Sequence, residues 1–160
     1  MGKLIYGVGI YEKGEYKSRI DKNTKSKEYR LWMNMIHRCY SESHQKRRPT
    51  YIDCIVSDEF LNFQNFASWC QSQVGFGVTG YHLDKDLLCD GVRRYSRETC
   101  CFVPHQINSF IINKGISKTK SKIDKETIAR QLATEYRGLV EDRVIYALNN
   151  YTVKTGSVTS

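Results

Sequence analysis

Between Tyr81 and Leu88 the chain reads YHLDKDLL, and from Pro104 it reads PHQINSFIIN. These are residue types that bind cations and move protons. His82, Asp84 and Asp86 stand two apart, so on an extended strand all three project from one face. His105 and Asn108, three apart, share one face of a helix. Carboxylate, imidazole and carboxamide groups converging from a strand and a helix could surround one divalent cation, with Asp84, Asp86, His105 and Asn108 as ligands. Oxygen-rich ligands suit Mg²⁺ first, with Mn²⁺ or Zn²⁺ as alternatives. Such a cation stabilises charge developing on a phosphate, while Asp84 or His82 activates water and Lys85 holds the phosphate. The opposing reading is a solvated strand face with a Lys–Asp pair worth under about 1 kcal/mol.

Positioning these groups requires a particular order of elements. Tyr81–Leu88 reads as a strand, Asp90-Gly91 as a turn, CCFV after YSRET as a second strand, and Pro104 as the opening of a helix. Strand, loop, strand and helix over residues 81–113 give the outline of a ββα-metal hairpin. Upstream, residues 3–20 alternate apolar and polar around Lys13-Gly14 and read as a β-hairpin. Ser26–Ser41 reads as a helix with Tyr29, Trp32, Met33, Ile36 and Tyr40 on one face. Ser57 caps a second helix, which turns Phe60, Phe63, Phe66, Ala67 and Cys70 inward. The expected fold is α+β: a small ββα-metal-type core with an N-terminal β-hairpin and peripheral helices, including a C-terminal one. Its parts are a basic domain over residues 1–113, a basic linker over 114–123, a C-terminal helix over 124–151 and a flexible tail over 152–160. The last helix carries a stripe running from Ile128 through Leu132, Tyr136 and Val144 to Leu148, suited to the body of the chain or to a twin subunit in a homodimer.

The charge is unevenly placed. Residues 124–160 hold five basic side chains (Lys125, Arg130, Arg137, Arg143, Lys154) and five acidic ones (Asp124, Glu126, Glu135, Glu141, Asp142). The whole formal excess of +8 therefore lies in residues 1–123, which points to a polyanion and most simply to nucleic acid. Candidate phosphate contacts are Arg38, Lys46, Arg47, Arg48, Arg93, Arg94, Lys118, Lys120 and Lys122. No apolar run approaches the length of a membrane span, and the first residues lack the pattern of a secretory leader. The six cysteines then read as reduced thiols of a cytosol. They contain no CxxC pair, and neighbouring Cys100 and Cys101 point to opposite faces of a strand, which argues against structural zinc.

Several motifs together carry a resemblance. LWMNMIHRCYS, PTYIDCIVSDEFLNFQNFASW and LDKDLL with YSRETCCFVPHQIN are similar to the HNH-like homing endonucleases of tailed bacteriophages. Those proteins share W-x-x-M-x-x-R-C-Y, F-x-x-F-x-x-W, L-D-[KR]-D and Y-S-P-E-[NT]-C-x-[FW]. The likeness covers Tyr29 to Asn108, and RVIYALNNY resembles their C-terminal end. It implies a phage protein of the bacterial host cytoplasm that binds DNA and hydrolyses phosphodiesters with a metal. His82 is not part of the pattern. Arg97 replaces a proline, and Thr99 stands where many relatives have the asparagine that orients the catalytic base. An AP2-like DNA-binding segment is missing. These departures keep two alternatives open: a catalytically silent DNA-binding protein on the same scaffold, and a phage protein that binds and inhibits a host protein.

Overall fold

Helical spacing of apolar residues builds the first layer. In the computed structural model, which describes residues 4–89, 91–113 and 122–153, the helix α1 (Lys27–Tyr40) begins where Ser26 accepts the Tyr29 N–H. It buries Trp32, Met35, Ile36 and Cys39. The buried face is thus rotated from the one expected, with Met35 and Cys39 inside and Met33 only half-buried. A short α2 (Glu42–Arg47), a 3₁₀ turn at Pro49–Tyr51 and the strand β3 (Ile55–Val56) follow.

The expected second helix is two helices, α3 (Asp58–Leu61) and α4 (Phe63–Ser72). The break at Asn62 admits the N-terminal segment: Ile10 donates its N–H to Leu61 O at 2.8 Å and accepts the Phe63 N–H at 2.9 Å. Asn62 also caps α4 through the Asn65 N–H. Phe60, Phe63, Phe66, Ala67 and Cys70 are fully buried, as their spacing requires. The Trp32 indole donates to Phe60 O at 2.9 Å, so the largest core side chain leaves no orphan donor.

The N-terminal hairpin joins β1 (Arg19–Asp21) to β2 (Thr24–Lys25), not the arms around Lys13-Gly14. Gln64 explains the difference. Its amide nitrogen donates to Glu12 O and Tyr16 O, and its oxygen accepts the Tyr16 N–H. The loop around Gly14 wraps this side chain, which takes the hydrogen bonds that a second strand would have supplied.

In the ββα region, β4 (Tyr81–Asp84) pairs antiparallel with β6 (Cys101–Pro104), from Tyr81↔Pro104 to Asp84↔Cys101, and α5 (His105–Asn113) follows directly. Between them β5 (Arg94–Tyr95) pairs parallel with β3 instead. All four residues of β6 are buried, the pattern of a strand covered on both faces. Phe102 packs into the aromatic cluster of α1 and α4, whereas Cys101 and Val103 pack with Ile107, Ala129, Val144 and Leu148.

The expected single C-terminal helix is also two, α6 (Lys122–Glu135) and α7 (Asp142–Asn149). After α6 the chain reverses in a turn closed by the Leu139 N–H on Tyr136 O at 2.8 Å, whose third residue, Gly138, takes the positive φ of +83° that such a turn requires. Much of the apolar stripe consequently turns onto the ββα region: Tyr136, Val140, Val144 and Leu148 are buried and Leu139 is exposed. The stripe is therefore largely covered within one chain. No described helix is long and apolar enough to cross a membrane. Residues 114–121 of the expected linker and 154–160 of the tail lie outside the described residues.

Phe63 contacts the rings of Tyr11, Tyr29 and Trp32 at centroid distances of 5.5, 5.5 and 5.4 Å. Phe63→Ala is expected to destabilise by about 3–5 kcal/mol, read as a lower urea midpoint.

Candidate functional site

Asp84, the last residue of β4, is only 7% exposed. Its Oδ2 accepts the N–H groups of Asp86 at 3.0 Å and Leu87 at 2.8 Å, so its own carboxylate ends the strand four residues before the expected boundary. Burial pushes the carboxyl above its ordinary range; the Leu87 amide opposes this, Asp86 adds to it, and the Asp86 amide and Lys85 oppose it. Beyond the strand, Asp86 Oδ1 pairs with Lys85 Nζ at 2.8 Å. Burial acts to lower the Lys85 pKa, but the hydrogen bond and charge of Asp86 outweigh it and hold it up. The ammonium also lies 5.7 Å from the Tyr95 ring centroid.

His82 is exposed on β4 and its ring centroid is 6.1 Å from that of His105. His105 Nε2 in turn lies 3.3 Å from Ser109 Oγ, and Asn108 is half-buried on α5. Among the described residues, no group of three or more His, Cys, Asp or Glu side chains is arranged to hold a metal ion. The physical reason is the early end of β4. Asp86 no longer follows strand alternation, and Asp84 faces its own backbone. As they stand, Asp84, Asp86, His105 and Asn108 do not fit a divalent cation.

The cationic candidates lie elsewhere. The parallel β3–β5 pair sets Ile55 beside Arg94 and Val56 beside Tyr95. Tyr95 is 3% exposed and its hydroxyl accepts from Arg38 Nη1 at 3.4 Å. Arg93 Nη1 reaches Thr50 O at 3.4 Å and Ile52 O at 3.2 Å, which ties β5 to the 3₁₀ turn. Exposed Lys46, Arg47 and Arg48 immediately precede that turn. Arg94 is exposed beside Ile55, as Lys46–Arg48 are before the turn. Arg38 and Lys85 instead lie on the inner side of the strand pair against buried Tyr95, Lys85 already paired with Asp86. Lys118 and Lys120 lie outside the described residues, and Lys122 is the first residue of α6.

Other contacts had no signal in the sequence, most of them because their partners are distant in it. Thr99 is a buried turn residue: its hydroxyl donates to Arg94 O at 2.7 Å and accepts the Ser96 N–H at 3.0 Å. Arg97 forms a two-point pair with Glu59, which lowers that carboxyl. Arg143, from α7, donates to Arg97 O, Cys100 O and Gln73 Oε1, each at 2.7 Å, and so fastens the turn before β6. Tyr6 Oη meets His37 Nδ1 at 2.8 Å, and the His37, His44 and Tyr51 rings continue in sequence at 5.0 and 5.3 Å. All six cysteines are free. Burial pushes the Cys100 thiol up to about 12. The Cys39 thiol is raised by the buried Cys54 beside it, together with its own burial.

A separate groove of about 590 Å³, lined by Leu87, Leu88, Phe110, Tyr146 and Tyr151 among others, includes none of the candidate site residues. Comparison with protein-family models, with curated proteins and with solved structures gives no match for the chain.

The geometry separates two roles for Asp84. As an amide cap, Asp84→Ala leaves the Asp86 and Leu87 N–H groups without their acceptor and costs about 1–3 kcal/mol, whereas Asp84→Asn keeps an acceptor oxygen and the fold. The native carboxyl titrates above its ordinary value of 3.8, so the folded chain holds that proton more tightly. Its contribution to stability is full below the unfolded value and is lost as pH rises through the folded one. Urea unfolding across that acidic window is expected to show the loss in the wild type and a flatter profile in Asp84→Asn.

Proposed function

We propose that the protein binds duplex DNA through a basic face on a ββα scaffold, as a phage protein of the bacterial host cytoplasm. The observation that supports this reading is the exposure of Arg93 and Arg94 at β5 together with Lys46, Arg47 and Arg48, the two segments being tied by the Arg93 bonds to Thr50 O and Ile52 O. Backbone phosphates need cations at fixed positions and impose no base preference on them. One of these cations is already fixed, Arg93 by two carbonyl groups.

Metal-dependent hydrolysis of DNA is a second reading. It is favoured by the strand–strand–helix order, which brings His82 of β4 near His105 of α5. It requires Asp84 to release the Asp86 and Leu87 amides before that carboxylate can serve as a ligand or base.

Fluorescence anisotropy with labelled duplex across a salt series tests the first reading. Affinity is expected to fall with salt, and Lys46→Ala/Arg47→Ala/Arg48→Ala to flatten the log–log slope by about 0.9 for each phosphate contact removed. A salt-independent response overturns it. Incubation with supercoiled plasmid in Mg²⁺, Mn²⁺ or EDTA tests the second. Metal-dependent nicking lost in Asp84→Asn, a variant that keeps the cap, supports hydrolysis; intact plasmid in every condition overturns it.

A further inference from the structure

We infer that the basic face also carries an apolar wedge, Ile52 and Ile55, which enters the base stack of duplex DNA while neighbouring arginines hold the flanking phosphates. The inference rests on the DNA-binding reading above and adds the mode of engagement.

Single exposed aliphatic side chains are ordinary on protein surfaces. Here, however, Ile52 and Ile55 are each 47% exposed and Val92 is 36% exposed, and all three belong to one small backbone unit. Ile55 donates its N–H to Arg93 O at 3.0 Å. It stands opposite Arg94 in the β3–β5 register. Arg93, next to Val92 in the chain, reaches back to Ile52 O at 3.2 Å.

Local conformation keeps these side chains outside. In β3 the side chains alternate, Ile55 outward and Val56 inward. Before it, Cys54 is buried at 3%, and its N–H closes a turn onto Tyr51 O at 3.1 Å. That turn passes through Asp53 at φ +72°, a left-handed conformation that aspartate tolerates better than most residues. The chain thus reverses so that Cys54 enters the core and the isoleucines on either side of the Asp53–Cys54 turn remain in solvent. Arg48, Arg93 and Arg94 are the cations of this unit, and the exposed carboxylates of Asp53 and Asp58 stand beside them.

Charge complementarity selects the occupant. An aliphatic pair bracketed by cations matches a polyanion whose interior is apolar. Duplex DNA answers that description, and proteins that bend it insert Ile, Leu or Phe between base steps while Arg and Lys hold the backbone. Pyrimidine–purine steps, which unstack most easily, are the expected points of entry.

The test uses the full chain with a duplex rich in TpA steps that carries 2-aminopurine and an end-to-end fluorophore pair. Wild-type binding is expected to raise 2-aminopurine emission and shorten the end-to-end distance. Ile52→Ala/Ile55→Ala should bind with the wild-type salt slope, its cations being untouched, yet lose both signals. Ile52→Met/Ile55→Met, which keeps apolar bulk, should retain them. Salt-sensitive wild-type binding without unstacking or bending overturns the wedge and leaves the DNA-binding reading standing. So does an alanine variant that unstacks the duplex as the wild type does. No wild-type binding at all removes both.

Discussion

The structure depends on burying β6 from both sides. A strand covered on two faces can carry no solvent-facing polar side chain, and Cys101 through Pro104 obey that constraint. Phe102 joins the aromatic cluster built on Trp32, Phe63 and Trp69. Cys101 and Val103 join the cluster that α5, α6 and α7 complete. The β4–β6 pair is therefore a shared wall between two cores. Everything at the candidate site is referred to that wall: Asp84 closes one end of β4, while His82 and His105 stand toward the other.

Arg143 and Arg97 extend the same logic to the turn between β5 and β6. One guanidinium from α7 satisfies three acceptors, two of them backbone carbonyl groups. The second joins the turn to α3 through Glu59. Thr99 closes the turn from within. With the turn fixed at three points, β5 can cross to pair with β3 away from β4 and β6. That crossing sets the Tyr95 hydroxyl against Arg38 and its ring beneath Lys85.

Periodicity made much of this legible. The inward residues of α4, the order of β4, β6 and α5, and the concentration of charge before residue 124 all follow from spacing or counting. What stayed hidden were partners remote in sequence and one local side-chain turn. Nothing near Asn62 announces that Ile10 will intervene between α3 and α4. Strand alternation placed Asp84 and Asp86 on one face, but it could not foresee that the first carboxylate would end the strand before the second. The basic residues were recognisable as charges; the closeness of Arg93 and Arg94 to the 50–55 segment came from a two-residue parallel pairing too short to leave a pattern of its own.

The carboxamide of Gln64 serves the N-terminal loop as a surrogate strand, offering two donors and one acceptor to the backbone of Glu12 and Tyr16. This makes a single covalent group sensitive to chemical ageing. Deamidation would replace the nitrogen with an anionic oxygen aimed at two carbonyl oxygens, converting two attractions into repulsions. The loop would lose its anchor while every apolar contact of α4 remained in place.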